Sequence, residues 1–186
     1  MEGSATDPGV NIRALEHLFS LLAARSSSPD ETGAQRYSAT VRMSALEIYN
    51  ETPRDLLVDP REYRKSLGAA ADSVAASNAK LEVHQHPDGS IFVPGLTERP
   101  VACVADITAL VASHVRPNRA TAATSMNEYS SRSHSIIFIK VETSCCGASE
   151  EVERTHGRLV LIDLAGSERV KKSEAQGQAL KEASHM

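Results

Sequence analysis

Apolar positions Ile12, Leu15, Leu18, Phe19 and Leu22 recur at intervals of three and four residues, the spacing that gathers side chains on one face of an α-helix. The pattern predicts one amphipathic helix that follows the turn signature Asp7-Pro8-Gly9 and ends near Arg25. Ser26 to Gln35, with Pro29 and Gly33, reads as a loop. From Tyr37 the period becomes two: Tyr37, Ala39, Val41, Met43 and Ala45 share one face, and Ser38, Thr40, Arg42 and Ser44 the other. This is a half-buried strand, and Leu46 to Tyr49 predict that it grows more buried along its length.

Residues 60 to 80 are rich in alanine and serine, open on Arg61, Arg64 and Lys65, and show no sustained period, so they read as an insertion loop. Leu81-Glu82-Val83 and Ile91-Phe92-Val93 flank His86-Pro87-Asp88-Gly89, in which Pro sets φ and Gly supplies a positive φ; the segment predicts a hairpin. Val104, Ile107, Leu110, Val111 and Val115 mark a second helix, predicted to stop around Pro117. Ile136 to Ile139 and Leu159 to Ile162 are continuous apolar runs, expected at the centre of a sheet covered on both faces, with a polar reversal from Thr143 to Gly157 between them. Mixed helices and strands with two central strands predict an α/β class with a mostly parallel central sheet flanked by helices and an antiparallel hairpin attached.

Composition narrows the class without changing it. The 186 residues suit one domain, and 41% hydrophobic with 24% charged residues excludes collagen-like, mucin-like and wholly disordered chains. No apolar run approaches the roughly 18 residues that cross a bilayer, and Met1-Glu2-Gly3 opens no signal peptide, so a soluble intracellular chain without a membrane partner is expected. Cys103, Cys145 and Cys146 are too few and too awkwardly spaced for a disulfide framework or a metal site and are expected to be plain thiols. A net charge of −4 supplies no global field toward nucleic acid, and 4% aromatics without tryptophan provide no base-stacking platform. An acidic partner must be met by a local basic patch.

Two polar segments carry the candidate chemistry. Asp163-Leu164-Ala165-Gly166-Ser167-Glu168-Arg169 follows a buried strand. A carboxylate at a strand end suits a Mg²⁺ site reached through water, and a glycine three residues on lets a backbone N–H approach a phosphate. Asn127-Glu128-Tyr129-Ser130-Ser131-Arg132-Ser133-His134 leads into the other strand; its hydroxyls suit Mg²⁺ or a terminal phosphate, and its arginine suits a carboxylate on a neighbouring loop. Taken singly, the first is also a strand-end Asp with a turn Gly, and the second a hydroxyl-rich turn capping a strand. His84 and His86 share a strand face but lack an evident third metal ligand. Ser133 and His134 are adjacent on a strand, so their side chains point to opposite faces and do not form a nucleophile–base pair.

Taken together, NEYSSRSH and DLAGSER closely resemble the two nucleotide-sensing switch segments of the kinesin motor domain, residues 127–134 and 163–169 here. Ala45 to Glu51 with Arg54-Asp55-Leu56-Leu57, Val93 to Glu98, and Asn118 to Thr124 resemble further kinesin segments, and VPGLTE and NRATAAT are most similar to the C-terminal-motor, minus-end-directed kinesins. The resemblance spans nearly the whole chain and implies a partial P-loop NTPase-type motor fold with ATP and Mg²⁺ as cofactors, the microtubule as partner and a cytoplasmic, cytoskeletal location. It implies that Asn127, Ser130 and Ser131 approach the nucleotide, with Ser131 near Mg²⁺, that Asp163 holds Mg²⁺ through water, and that the Gly166 N–H detects the γ-phosphate. Arg132 and Glu168 would form the latch closing both loops, and Arg169, Lys171 and Lys172 would face tubulin.

The sequence departs from the family at Pro53 and Tyr129, and most of all in lacking any GxxxxGK phosphate loop; there is no Gly-Lys pair. The expected consequence is a central motor fragment without the N-terminal strands and C-terminal helices, unable to hydrolyse ATP alone, with exposed sheet edges. The alternative is a non-catalytic motor-like module that binds tubulin or another protein.

Overall fold

The computed structural model describes residues 3, 6–27, 36–49, 51–59, 61, 81–122, 133–146 and 152–166. In chain order these form α1 (Val10–Ser26), β1 (Arg36–Tyr49), β2 (Thr52–Asp55), β3 (His84–Gln85), β4 (Ile91–Phe92), β5 (Arg99–Val101), α2 (Val104–Leu110), a π-helical turn (Val111–Val115), α3 (Arg116–Ala122), β6 (Ser133–Cys146) and β7 (Val152–Asp163). The main sheet runs β2-β1-β6-β7, with β5 also on β1; β3 and β4 form a separate hairpin. The insertion expected at 60–80 lies outside the described residues apart from Arg61, whose N–H donates to Asp59 Oδ1 at 2.7 Å.

The α/β class expected from the sequence is observed, with more hairpin in it than expected. β1 pairs antiparallel with both β2 and β5. Neighbours β6 and β7 are separated by residues 147–151, too few for a parallel crossover, which requires about a dozen, so this pair is antiparallel too. Both strands are far longer than their apolar runs, and most of the expected polar reversal at Thr143–Gly157 is strand.

Contacts gather the chain into two compact units. The first comprises Met1–Met43, Arg99–Ala109 and Phe138–Leu161. Here α1 forms as the spacing predicts: Gly9 precedes it in extended conformation, and Arg13 ties the approach by donating to Pro8 O at 2.8 Å and pairing with Asp7 at 2.6 Å. Leu15, Val41, Met43, Val101, Ile107 and Ile139 are buried. Each fully buried aliphatic side chain of this size contributes about 1.5–3 kcal/mol.

The second unit comprises Ser44–Glu98, Leu110–Ile137 and Ile162–Met186. Its core holds Ala45, Leu46, Leu56, Leu57 and Val115 together with buried polar groups, each of which needs a partner. Asp55 accepts the Leu57 N–H at 2.8 Å and the Thr97 N–H at 2.7 Å. Fully buried Asn118 donates to the carbonyls of Leu56 at 3.0 Å and Val58 at 3.1 Å. The predicted hairpin is present: the Gly89 N–H donates to His86 O at 2.9 Å, and Gly89 has φ +84°. His84 and His86 pack on Phe92, with ring centroids 5.4 and 4.0 Å away. Between β1 and β2, Glu51 sits in the left-handed region at φ 60°.

Two expectations need correction. The second helix does not stop around Pro117; helical backbone continues to Ala122. Pro117 has no N–H and its ring crowds the carbonyl four residues back. The π turn at Val111–Val115 widens the helix just before it, and the Arg116 N–H bonds to Val111 O, five residues back. The second correction concerns the run Leu159–Ile162. Leu161 is buried, but Val160 and Ile162, which project from the opposite face of the strand, are exposed, so one face of β7 is covered there and not both.

Candidate functional site

The site is assembled where β6 begins and β7 ends, both within the second unit. Asp163 is the last residue of β7 and is exposed; Leu164, Ala165 and Gly166 continue without regular structure. Ser133, the first residue of β6, is 1% exposed. A strand places successive side chains on opposite faces, and the first two residues of β6 have different partners accordingly. Ser133 Oγ accepts from Arg119 Nη2 at 3.1 Å, whereas His134 Nδ1 accepts from the Ala165 N–H at 3.1 Å. Ser133 and His134 therefore engage different partners, as expected of neighbours whose side chains leave a strand on opposite faces.

The His134–Ala165 hydrogen bond joins the two polar segments singled out in the sequence. It requires an unprotonated Nδ1, so the neutral ring carries its hydrogen on Nε2. The bond brings the end of the octet to the loop that starts at Asp163. Of the expected site residues, Asp163 and Gly166 are described. Asn127, Ser130, Ser131, Arg132, Glu168, Arg169, Lys171 and Lys172 lie outside the described residues.

Arg119, near the end of α3, adds a support that the sequence reading did not single out. Its Nε lies 3.3 Å from Glu47 Oε1, and its side chain is 22% exposed against 0% for the glutamate. A carboxylate removed from water requires charge compensation, which the guanidinium supplies while a second nitrogen holds Ser133. Glu47 sits inside the apolar run Ala45-Leu46-Glu47-Ile48-Tyr49. An acid in such a run is the signal that would have called for a cationic partner.

The residues present suit a hard divalent cation in donor chemistry. Asp163 presents carboxylate oxygens at the end of a strand, and no hydrogen bond or ion pair occupies them among the described residues. Among those residues no three His, Cys, Asp or Glu side chains form a cluster, so a cation held at Asp163 would draw its other ligands from waters, hydroxyls or a nucleotide.

A profile of the kinesin motor domain matches residues 1–186. The chain belongs to the kinesin motor domain family. Kinesin-like protein KIN-14Q of Arabidopsis thaliana is 38% identical over 188 residues, covering 100% of this chain and 14% of that protein. Kinesin-like protein klp-3 of Caenorhabditis elegans is 38% identical over 183 residues, covering 98% of this chain and 26% of that protein. Among solved structures, a fast kinesin superposes with TM-score 0.69 at 35% identity, and KIF14 with ADP in complex with a microtubule gives 0.73 at 32%. The chain thus spans a minor part of its curated kinesin relatives and 45% and 47% of these two solved kinesin chains. The kinesin motor family is nucleotide-binding.

Proposed function

We propose that this chain is the nucleotide-sensing middle portion of a microtubule motor. The observation that carries the reading is the His134–Ala165 hydrogen bond, which unites the ends of the two switch-like segments. Support comes from the kinesin profile over the whole chain and from KIF14 having been solved on a microtubule.

In this reading Asn127, Ser130 and Ser131 would bind the nucleotide, with Ser131 and, through water, Asp163 holding Mg²⁺. The bound Mg²⁺ supplies charge neutralisation for the phosphates. The Gly166 N–H senses the γ-phosphate, and Arg132 with Glu168 closes the two loops, excluding bulk water from the reacting group. Such a pair acts as a gate, since an exposed ion pair contributes only about 0–1 kcal/mol to stability. Arg169, Lys171 and Lys172 give the local positive charge that acidic tubulin requires, placing the protein on the cytoskeleton.

The absence of GxxxxGK favours a second statement for this polypeptide by itself: it binds microtubules without hydrolysing ATP, because these 186 residues include no such motif to cradle the α- and β-phosphates. Microtubule co-sedimentation with and without Mg-ATP, run beside an ATPase assay, tests both statements. The expected result is salt-sensitive binding, unchanged by nucleotide, with no turnover. Turnover or nucleotide-dependent binding overturns the non-catalytic statement, and no binding at low salt overturns the tubulin assignment.

A further inference from the structure

We infer that Arg119 is a positioning residue: braced on buried Glu47, its guanidinium fixes Ser133 and thereby sets the contact of His134 with the Ala165 N–H that joins the two nucleotide-sensing segments. The inference deepens the proposed function and rests on it for the naming of those segments.

The geometry runs in one direction. Glu47 is fully buried within β1, so losing the neighbouring cation would weaken the compensation of a charge already removed from water, at a large cost. Arg119 therefore has a fixed foot at 3.3 Å. Its planar fork presents nitrogens at set angles, so fixing Nε on one acceptor also fixes where Nη2 points, and that nitrogen meets Ser133 Oγ at 3.1 Å. Ser133 is 1% exposed, and the acceptor is thus held where water does not compete for it. His134 is the next residue on the same strand. Displacing Ser133 displaces the imidazole, and a hydrogen bond of 3.1 Å lies near the upper end of the favourable range, so a shift of a few tenths of an ångström weakens it. The linkage is a chain of contacts from β1 through α3 to the start of β6 and on to the loop after β7.

Lysine is not equivalent at this position. It can pair with Glu47, but as a point charge on a flexible stem it does not hold two acceptors in a fixed fork. Arg119→Lys thus separates positioning from charge compensation, and Ser133→Ala makes the same separation from the other side by leaving the Arg119–Glu47 pair intact.

The test uses this chain without nucleotide or microtubules and reads the Ala165 amide by ¹H–¹⁵N correlation spectra and hydrogen exchange. The Thr97 amide, held by Asp55 in the same unit, reports general loosening. Both variants should move the Ala165 signal and speed its exchange by about tenfold, with the Thr97 signal in place; His134→Leu should do the same by removing the acceptor. The inference is overturned if Ala165 is unmoved in Ser133→Ala and Arg119→Lys while responding to His134→Leu, or if Ala165 and Thr97 respond alike. Should Arg119→Lys fail to fold, Ser133→Ala decides alone. Because the readout needs neither ATP nor tubulin, failure here leaves the motor assignment standing, and failure of microtubule binding leaves this result standing.

Discussion

β1 and β7 are both long strands with apolar stretches, and the structure treats them in opposite ways. Val41 and every residue from Met43 to Glu47 are buried in β1, which has β6 as a neighbour and pairs along its length with β5 and β2. In β7, Leu161 is the buried residue, and Val152, Val160 and Ile162 are 53%, 37% and 44% exposed. Burial is a property of what lies beside and above a strand. An apolar run states a requirement for cover, and among the described residues β1 meets it and β7 does not.

The sharpest way to break this contrast is to remove charge compensation from β1. Arg119→Met leaves the buried Glu47 carboxylate without its guanidinium and should cost about 3 kcal/mol in urea unfolding. Glu153→Gln on β7, an exposed acid, should leave the urea midpoint where it is. Next in size are the aliphatic positions. Leu46→Ala in β1 should cost about 2–3 kcal/mol by the same measurement, whereas Ile162→Ala in β7 should cost less than about 1 kcal/mol. Equal losses at the two sites would mean that β7 is as well covered as β1.

The smallest effect lies at the surface and is read by pH. The N–H of Ala102, ahead of that of Cys103, holds the Asp106 carboxyl below its ordinary value, and the Ser90 side chain does the same for Asp88. For a carboxyl whose folded pKa is depressed, the stabilisation is complete above its unfolded pKa and is lost as pH falls through the folded one. Stability should therefore decline below about pH 4, and Asp106→Asn should flatten part of that decline. An identical acid profile for the variant would remove the carboxylate from this role.

Much of the architecture was legible in the residues. Helical spacing located α1 to within a few positions, and His86-Pro87-Asp88-Gly89 announced its hairpin, because both signals are local. The alternation in β1 held on one face at Val41, Met43 and Ala45 though not at exposed Ala39, while Ser44 and Leu46 on the other face are buried as well, which follows from cover that distant segments supply. Pro117 was read as a stop because proline forbids the regular bond; the π turn shows another solution, with Val115 and Asn118 buried on either side of the proline. At the site, Asp163 and His134 lay in recognisable motifs, and the resemblance named the family to which the chain belongs. The bracing of Ser133 by Arg119 and Glu47 was not legible, since 72 residues separate the acid from its base and only folding brings them together.

Glu51 has a practical consequence. A side chain at φ 60° costs on the order of 1 kcal/mol that glycine would not incur, offset in part by glycine's greater freedom when unfolded. Glu51→Gly would relieve the backbone at this reversal at the expense of the interaction that the Glu51 side chain makes, so the urea midpoint of that variant weighs one against the other.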